Sequence, residues 1–199
     1  MDLPHTGETP ADDIVYAYKS SLMGAPFEFR LGPDAMAWRK GPFSGTTPYR
    51  DIRRVRLSFR PMSMYNYRFA AEFWQPKGPK LQAASTSWKS LVEHERLDAP
   101  YRAFVTELCR RVGAAGGQTE FLTGSPALLY WPGVLVLAGA GFGIVGLVVR
   151  AVTTAAWGGA ALLCAFLAFF AWQGGTFFWR NQPGTFDPNA VPDKVLPRG

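Results

Sequence analysis

Residues that could catalyse a reaction are sparse in this 199-residue chain. His94 stands between Glu93 and Glu95, but side chains at adjacent helical positions point in different directions, so three neighbours do not converge on one metal ion. The other histidine, His5, lies in a polar segment far from this cluster. The spacing therefore predicts no metal site.

Nucleophilic and phosphate-binding patterns are equally poor. Hydroxyl side chains cluster at residues 44–47 and 85–87, but no histidine or cysteine accompanies them at a spacing that suggests an activated nucleophile. No glycine-rich phosphate loop is found outside the apolar segments. Cys109 and Cys164 fall in different predicted elements, so we expect neither a disulfide bond nor a cysteine metal site. These patterns predict a protein that is not an enzyme and holds no cofactor.

One row of basic residues has the spacing to bind an anion. Residues 54–60 alternate between polar and apolar side chains, as in a strand with one buried face, which sends Arg54, Arg56 and Arg60 to the same side as Ser58. Arg68 joins this face from the next predicted strand, where Glu72 could neutralise one arginine. The candidate surface residues are Arg54, Arg56, Arg60 and Arg68.

Three interpretations of this basic row are open. It is a solvated sheet face, a surface for anionic lipid or a protein partner, or a surface for nucleic acid. The net charge of +6 is too small to choose among anionic partners. We expect no nucleic-acid partner.

The strands that position the row follow from alternation between residues 27 and 87. A hairpin is predicted over residues 27–38 with its turn at Gly32-Pro33-Asp34, followed by a short strand at residues 43–47. Residues 54–60 and 65–74 are two clearer strands, and residues 81–85 give a weaker last one. Their apolar rows must cover a common core.

One amphipathic helix is predicted after the strands. Asp98 suits the N-cap and Pro100 the first turn. Five apolar residues then share one helical face, which predicts that the helix closes the open end of the sheet. They are Tyr101, Phe104, Val105, Leu108 and Val112. A further short helical turn is predicted around Trp88 and residues 91–92.

Two long apolar runs come next. Residues 127–149 and 151–179 contain no Asp, Glu, Lys, Arg or His, and each can cross a hydrocarbon core about 30 Å thick at about 1.5 Å per residue. They predict a membrane hairpin with spans at residues 130–149 and 157–179 and a turn at residues 150–156. A buried helical pair is the alternative, but such helices normally carry a polar face. The residues expected at the two membrane interfaces are Tyr130, Trp131, Trp157 and Trp179.

Small residues within the spans predict close helix packing. They are Gly139, Gly143, Gly146, Ala161 and Ala165. The contact is either between the two spans or with another copy or another membrane protein. The absence of ionisable side chains from both spans argues against a transporter.

These patterns divide the chain into five segments. We expect a polar N-terminal segment at residues 1–19, a soluble domain at residues 20–115, a linker at residues 116–126, the hairpin at residues 127–180, and a loose, proline-rich tail at residues 181–199. The first residues lack the basic and apolar regions of a secretory signal. Arginines flanking the hairpin also outnumber the one in its turn, so both termini are expected in the cytoplasm.

This order of elements resembles the bacterial pleckstrin-homology-like (PH-like) domain proteins of the inner membrane. The resemblance is carried by residues 27–38, FEFRLGPDAMAW, and by residues 48–55, PYRDIRRV, which look like the family's proline, aromatic, acid, isoleucine and valine entry into the next strand. It implies an α+β fold, with a curved antiparallel sheet or partly open barrel capped by a C-terminal helix and followed by a two-helix transmembrane hairpin.

The resemblance also bears on function. Phosphoinositide-binding relatives carry a basic cluster at the first turn, whereas this chain has Gly32-Pro33-Asp34 there, so headgroup specificity is not implied. We expect a membrane-anchored scaffold or adaptor that presents a cytoplasmic domain to a protein partner or anionic lipid. The alternative is an accessory subunit of a larger inner-membrane complex, docked through the glycine-rich span, and a homo-oligomer is also open.

Overall fold

The computed structural model describes residues 14–61, 67–76, 78–90 and 94–197. Their elements are three sheets and three helices, two of them long and apolar, which confirms the predicted α+β class. Glu93 and His5, discussed above as metal ligands, lie outside the described residues, as do residues 65 and 66 of the predicted 65–74 strand.

The first sheet has four antiparallel strands in chain order. They are β1 (Ile14–Tyr18), β2 (Phe27–Leu31), β3 (Ala35–Lys40) and β4 (Phe43–Pro48). The predicted hairpin is β2–β3, with Leu31 opposite Met36. Strand β1 corrects the expectation that residues 1–19 precede the folded domain. It pairs with β2 because Tyr16 and Tyr18 alternate on a buried face.

The second sheet contains the basic row. Its antiparallel core is β5 (Arg54–Pro61), β6 (Tyr67–Trp74) and β7 (Leu81–Ala84). A separate pair follows, β8 (Thr86–Trp88) with β9 (His94–Arg96). Trp88 is therefore in a strand, and the predicted helical turn there is wrong for this residue.

The core lies between the two sheets and is closed by α1 (Asp98–Ala114). The Phe104 ring of α1 lies 5.5 Å from Phe29 of the first sheet and 6.5 Å from Phe73 of the second. All five residues of the predicted apolar stripe are buried. Full burial of such a side chain contributes about 1.5–3 kcal/mol. Asp98 is the first helical residue rather than the N-cap, and it pairs with Arg96.

The linker expected at residues 116–126 contains a strand of the second sheet. Strand β10 (Glu120–Thr123) runs parallel to β5, with Glu120 opposite Arg54. Main-chain hydrogen bonds along β5 therefore fix the approach to the hairpin, and residues 120–123 are not a free linker.

The hairpin consists of α2 (Ala127–Thr153) and α3 (Trp157–Arg180). Their 27 and 24 residues give helices about 40 and 36 Å long at about 1.5 Å per residue. Both are long and apolar enough to cross a membrane, and no residue of α2 is buried. A core helix of a soluble protein would be covered, so this exposure favours the membrane interpretation. The turn is shorter than expected because α2 continues through Arg150.

The tail docks on the sheet domain instead of hanging free. Strand β11 (Gly184–Thr185) pairs with β10, which gives the second sheet the order β11-β10-β5-β6-β7. Farther on, Arg102 of α1 binds Asp193 at 2.5 Å. Val195 and Leu196 then enter the core with exposures of 0% and 2%. Burial of these two side chains makes the tail part of the fold.

Replacement of Leu196 should therefore loosen the core. We expect Leu196→Ala to lower the free energy of unfolding by about 2–5 kcal/mol, because it removes a buried side chain and leaves a cavity. The Cys109 thiol, fully buried in α1, is a native probe of core opening in a Cys164→Ser background. Its labelling by a thiol reagent should accelerate by at least about tenfold, the equivalent of 1.4 kcal/mol. Gln182→Ala, at an exposed tail position, is the control. Equal labelling of both variants would contradict tail docking.

Candidate functional site

The sheet domain and the hairpin are joined through Asn181, which directly follows α3 and is only 1% exposed. Its Oδ1 accepts a hydrogen bond from the Phe59 N–H of β5 at 3.1 Å, and its Nδ2 donates to the Phe177 carbonyl of α3 at 3.2 Å. The Asn181 carbonyl accepts from the Ser125 N–H at 3.0 Å. One residue thus links the sheet edge to both helices of the hairpin.

Gly124 makes this close junction possible. Its N–H donates to the Leu57 carbonyl at 2.7 Å and extends the β5–β10 ladder by one bond. Its φ of +71° lies in the left-handed region, and a Cβ there would overlap the Asn181 carbonyl. Glycine is therefore required where the chain turns from β10 into α2.

A cavity of about 610 Å³ opens beside the junction. One wall is the polar face of β5 and β6, and the other is formed by the start of α2, the end of α3 and the loop before α2. The polar lining consists of Arg56, Ser58, Arg60, Glu72, Trp74 and Lys80. The wall formed by the helices and the loop includes Pro126, Leu129 and Phe177, and Phe59 of β5 also borders the cavity.

The basic row lies on this polar face, as the alternation predicts. In the β5–β6 register Arg56 is opposite Glu72 and Arg60 is opposite Arg68. Arg54 lies at the start of the row and pairs with Glu120 of β10 at 2.7 Å. The cavity thus brings Arg56 and Arg60 together, while Arg54 and Arg68 flank them along the sheet.

Charge in the cavity is unbalanced. The Glu72 carboxylate, with a side chain only 6% exposed, binds both Arg60 at 2.8 Å and Lys80 at 2.6 Å through Oε1. The cavity is lined by three cations, Arg56 included, and by this one carboxylate. An excess of two positive charges remains. Glu72 is buried on this face, and both of its cationic partners pair with it there.

Trp74 gathers cations at the far side of the cavity. Its ring lies 4.8 Å from the Lys80 ammonium, 5.7 Å from the Arg56 guanidinium and 5.9 Å from that of Arg54. An indole face attracts cations without neutralising them. Trp74 therefore holds positive charge in place and leaves it available to an anion.

Two polar atoms on this wall lack hydrogen-bond partners. Among the described residues, three buried side-chain N or O atoms have none, and Arg56 Nε and Ser58 Oγ are two of the three. Ser58 is only 5% exposed. An unsatisfied buried polar group costs about 1–3 kcal/mol, so such groups normally have a partner. The cavity has the room to supply one.

Burial changes the pKa of two arginines of the basic row. Burial, and next the positive charge of Arg54, lower the pKa of Arg56 from its ordinary value. Burial and the neighbouring Arg60 likewise lower the pKa of Arg68. Both arginines remain protonated in spite of the lowered pKa. The shifts mean that both guanidinium groups would gain from a nearby anion.

The helix-packing candidates of α2 lie away from its contact with α3. Its partly buried positions recur every three or four residues, as expected for a packed helix pair. This side includes Leu137, which lies against Gly174 of α3. Gly139 is two residues, or about 200°, farther around the helix. A Cβ at Gly139, Gly143 or Gly146 would meet nothing within 4 Å.

The other small residues do not support the hairpin contact either. Ala161 and Ala165 are exposed on α3, and their neighbour Ala160 is the buried one. The sequence left open whether the small residues pack between the two spans or against another copy or another membrane protein. In the structure, the predicted glycine face is not part of the contact between the spans.

Three of the interfacial aromatic candidates are exposed. Trp131 and Trp179 are 61% and 65% exposed at the sheet end of the hairpin, and Trp157 is 66% exposed at the turn. Tyr130 packs inward, with its ring 5.5 Å from that of Phe178. The cavity reaches Leu129 and Phe177, so it lies at the level of the first aromatic pair.

No family model, curated protein or solved structure matches the chain. What the cavity can bind is therefore inferred from the residues that line it. The cavity gathers cations and a hydroxyl, which bind anions, around one carboxylate that is already neutralised, beside an indole that holds the cations.

Sequence reasoning missed part of this site. Lys80 and Trp74 follow from no motif, because they join the basic row only through strand pairing and a turn. Asn181 carried one usable signal, namely an amide directly after the last apolar residues of the second span, where a helix end needs a hydrogen-bonding partner.

Asn181→Ala tests the junction. The substitution leaves the buried Phe59 N–H without an acceptor, which should destabilise the local structure by about 1–3 kcal/mol. Amide hydrogen exchange of the β5 segment around Phe59 should accelerate about tenfold or more. Exchange in β2, in the other sheet, serves as the internal control, and Gln182→Ala as the matched variant. Unchanged exchange at β5 in Asn181→Ala would show that the amide does not hold the junction.

Proposed function

We propose that this protein is a membrane-anchored scaffold or adaptor. The hairpin holds a PH-like cytoplasmic domain at the bacterial inner membrane, and the domain presents its surface to a protein partner or to anionic lipid. The observation that carries the proposal is the junction at Asn181, which is hydrogen-bonded to β5, to α3 and to the loop that leads into α2. An anchor joined in this way fixes the orientation of the domain, which a flexible tether would not do.

The PH-like assignment is supported by the arrangement of strands. A four-stranded antiparallel meander faces a three-stranded one, β5 to β7, across an aromatic core, and α1 closes that core. The β8–β9 pair and the added strands β10 and β11 are departures from this plan. Strands β10 and β11 extend the second sheet toward the hairpin, which is consistent with a domain specialised for attachment to its own anchor.

A binding function accounts for the polar residues better than a catalytic one. The groups that converge are cations held by Glu72 and Trp74, with a hydroxyl at Ser58. Such groups attract and orient an anion. Catalysis would also require a base or nucleophile directed at a substrate.

A second candidate is an accessory subunit of a larger membrane complex. The specific observation in its favour is the open glycine face of α2, formed by Gly139, Gly143 and Gly146. Another transmembrane helix could approach closely there, because small residues allow backbones to pack together. In this case the sheet domain would cap the cytoplasmic side of the complex.

The proposed topology predicts which residues are reachable from each side. In a chain lacking Cys109 and Cys164, Thr154→Cys lies in the hairpin turn and Asn189→Cys in the docked tail, both at exposed positions. A membrane-impermeant thiol reagent should label residue 154 in intact spheroplasts and residue 189 only after permeabilisation. The reverse order would overturn the proposed orientation.

Affinity purification in mild detergent separates the two functions. Phe43, 69% exposed at the start of the edge strand β4, is an accessible apolar side chain on the domain. If the protein is an adaptor, a stoichiometric partner identified by mass spectrometry should be lost from Phe43→Glu and kept by Gly139→Leu and Gly143→Leu.

The opposite pattern would favour the accessory subunit. Gly175→Leu is the matched control for the glycine variants, because a Cβ at that position also meets nothing within 4 Å. If the purified wild-type chain retains no partner protein, the proposal that the scaffold binds a protein partner is refuted.

A further inference from the structure

We infer that the cavity beside Asn181 is a binding site for the phosphate group of an anionic phospholipid, with Arg56, Ser58, Arg60 and Lys80 as its ligands. This inference rests on the proposed membrane anchoring and adds a specific ligand site to it. It places the site on β5 and β6 at the end of the hairpin, away from the Gly32-Pro33-Asp34 turn of the first sheet.

The first argument is the unmet hydrogen-bonding capacity of the wall. Ser58 Oγ and Arg56 Nε are buried donors without partners among the described residues. Both belong to the same face of β5, two positions apart, so their side chains point the same way. A phosphate carries several acceptor oxygens and can take both bonds at once.

The second argument is charge. Glu72 is already shared by Arg60 and Lys80, at 2.8 and 2.6 Å, so it cannot also neutralise Arg56. Arg60 moreover lies directly opposite Arg68 in the sheet, and like charges in that position repel. A phosphodiester in the cavity would weaken this repulsion and reduce the excess of positive charge from two to one. A neutral or cationic ligand would do neither.

The third argument is location and shape. The cavity of about 610 Å³ is bounded by the first turn of α2 and the last turn of α3, level with Trp131 and Trp179. Aromatic residues of this kind mark the headgroup region of a bilayer. Leu129, 71% exposed, continues the apolar wall along α2.

A lipid fits this combination of walls better than a free anion does. Its phosphate would meet the cations of the sheet, and its acyl chains would follow the exposed apolar surface of the helix. Inorganic phosphate would use the first wall and leave the second unoccupied.

The test is lipid binding by the full-length chain, purified in mild detergent and titrated with phosphatidylglycerol or phosphatidylcholine under native mass spectrometry. We expect the wild type to bind phosphatidylglycerol at least tenfold more tightly than phosphatidylcholine. Arg56→Gln and Ser58→Ala should each weaken phosphatidylglycerol binding several-fold. Ser58→Ala removes the hydroxyl without changing the net charge, so its effect cannot come from general attraction.

Arg30→Gln is the matched control, because Arg30 is an exposed arginine on the outer face of the first sheet. Equal losses in Arg30→Gln and Arg56→Gln would overturn the proposal and assign binding to overall charge. Equal affinity for the two lipids would also overturn it and favour an acidic segment of a protein partner. Displacement of phosphatidylglycerol by equimolar inorganic phosphate would identify a free anion as the ligand instead of the lipid.

Two readouts keep these outcomes separate from folding and from the proposed function. Slow labelling of Cys109 shows that each variant retains its core. The accessibility of residues 154 and 189 tests anchoring by itself, so a correctly inserted chain that shows no lipid preference would refute the site and leave the anchored scaffold standing.

Discussion

Strand β5 has two edges, and every main-chain group along them needs a hydrogen-bond partner once it is buried. Strand β6 covers one edge along its whole length, whereas β10 covers only Arg54 to Leu57 on the other. The Gly124 N–H and the Asn181 side chain supply the next bonds, as far as Phe59. Because these residues lead into α2 and out of α3, the hairpin itself completes the sheet. The stability of the domain and the position of the anchor therefore depend on the same few hydrogen bonds.

The cavity is a direct result of this arrangement. Since the chain leaves the edge of β5 at Gly124, the two helices stand beside the polar face of the strand and not against the core. Arg56, Ser58 and Arg60, which would otherwise face open water, are partly enclosed by apolar helix ends. Lower effective polarity strengthens the attraction of such cations for an anion. The polar face of the sheet is therefore one wall of a cavity and not an open, solvated surface.

Patterns within one segment of the chain predicted most of the elements. Alternation located β2 to β7, helical spacing located α1, and length and composition located α2 and α3. Strand β1 was missed because its residues, IVYAY, are all apolar or aromatic, so the alternating burial of Tyr16 and Tyr18 leaves no period of two in the sequence. Strands β10 and β11 are short, at four and two residues, and their identity depends on pairing with distant strands. Burial of Leu196 is likewise a long-range effect that proline spacing cannot reveal. Strand alternation predicted that the basic residues share one face. It could not predict that they are enclosed in a cavity, since Lys80 and Asn181 reach them only through tertiary structure.

The docked tail has a consequence for how the protein is made. Synthesis runs from the N-terminus, so β1 to β10 leave the ribosome before the hairpin, whereas Asn181, β11 and the core residues Val195 and Leu196 follow it. In the proposed topology, β11 cannot pair with β10, and Val195 and Leu196 cannot enter the core, until α3 has returned the chain to the side of the membrane on which β5 lies. Maturation of the domain would then depend on insertion of both helices, and a chain whose second helix does not return would keep an open sheet edge beside β5.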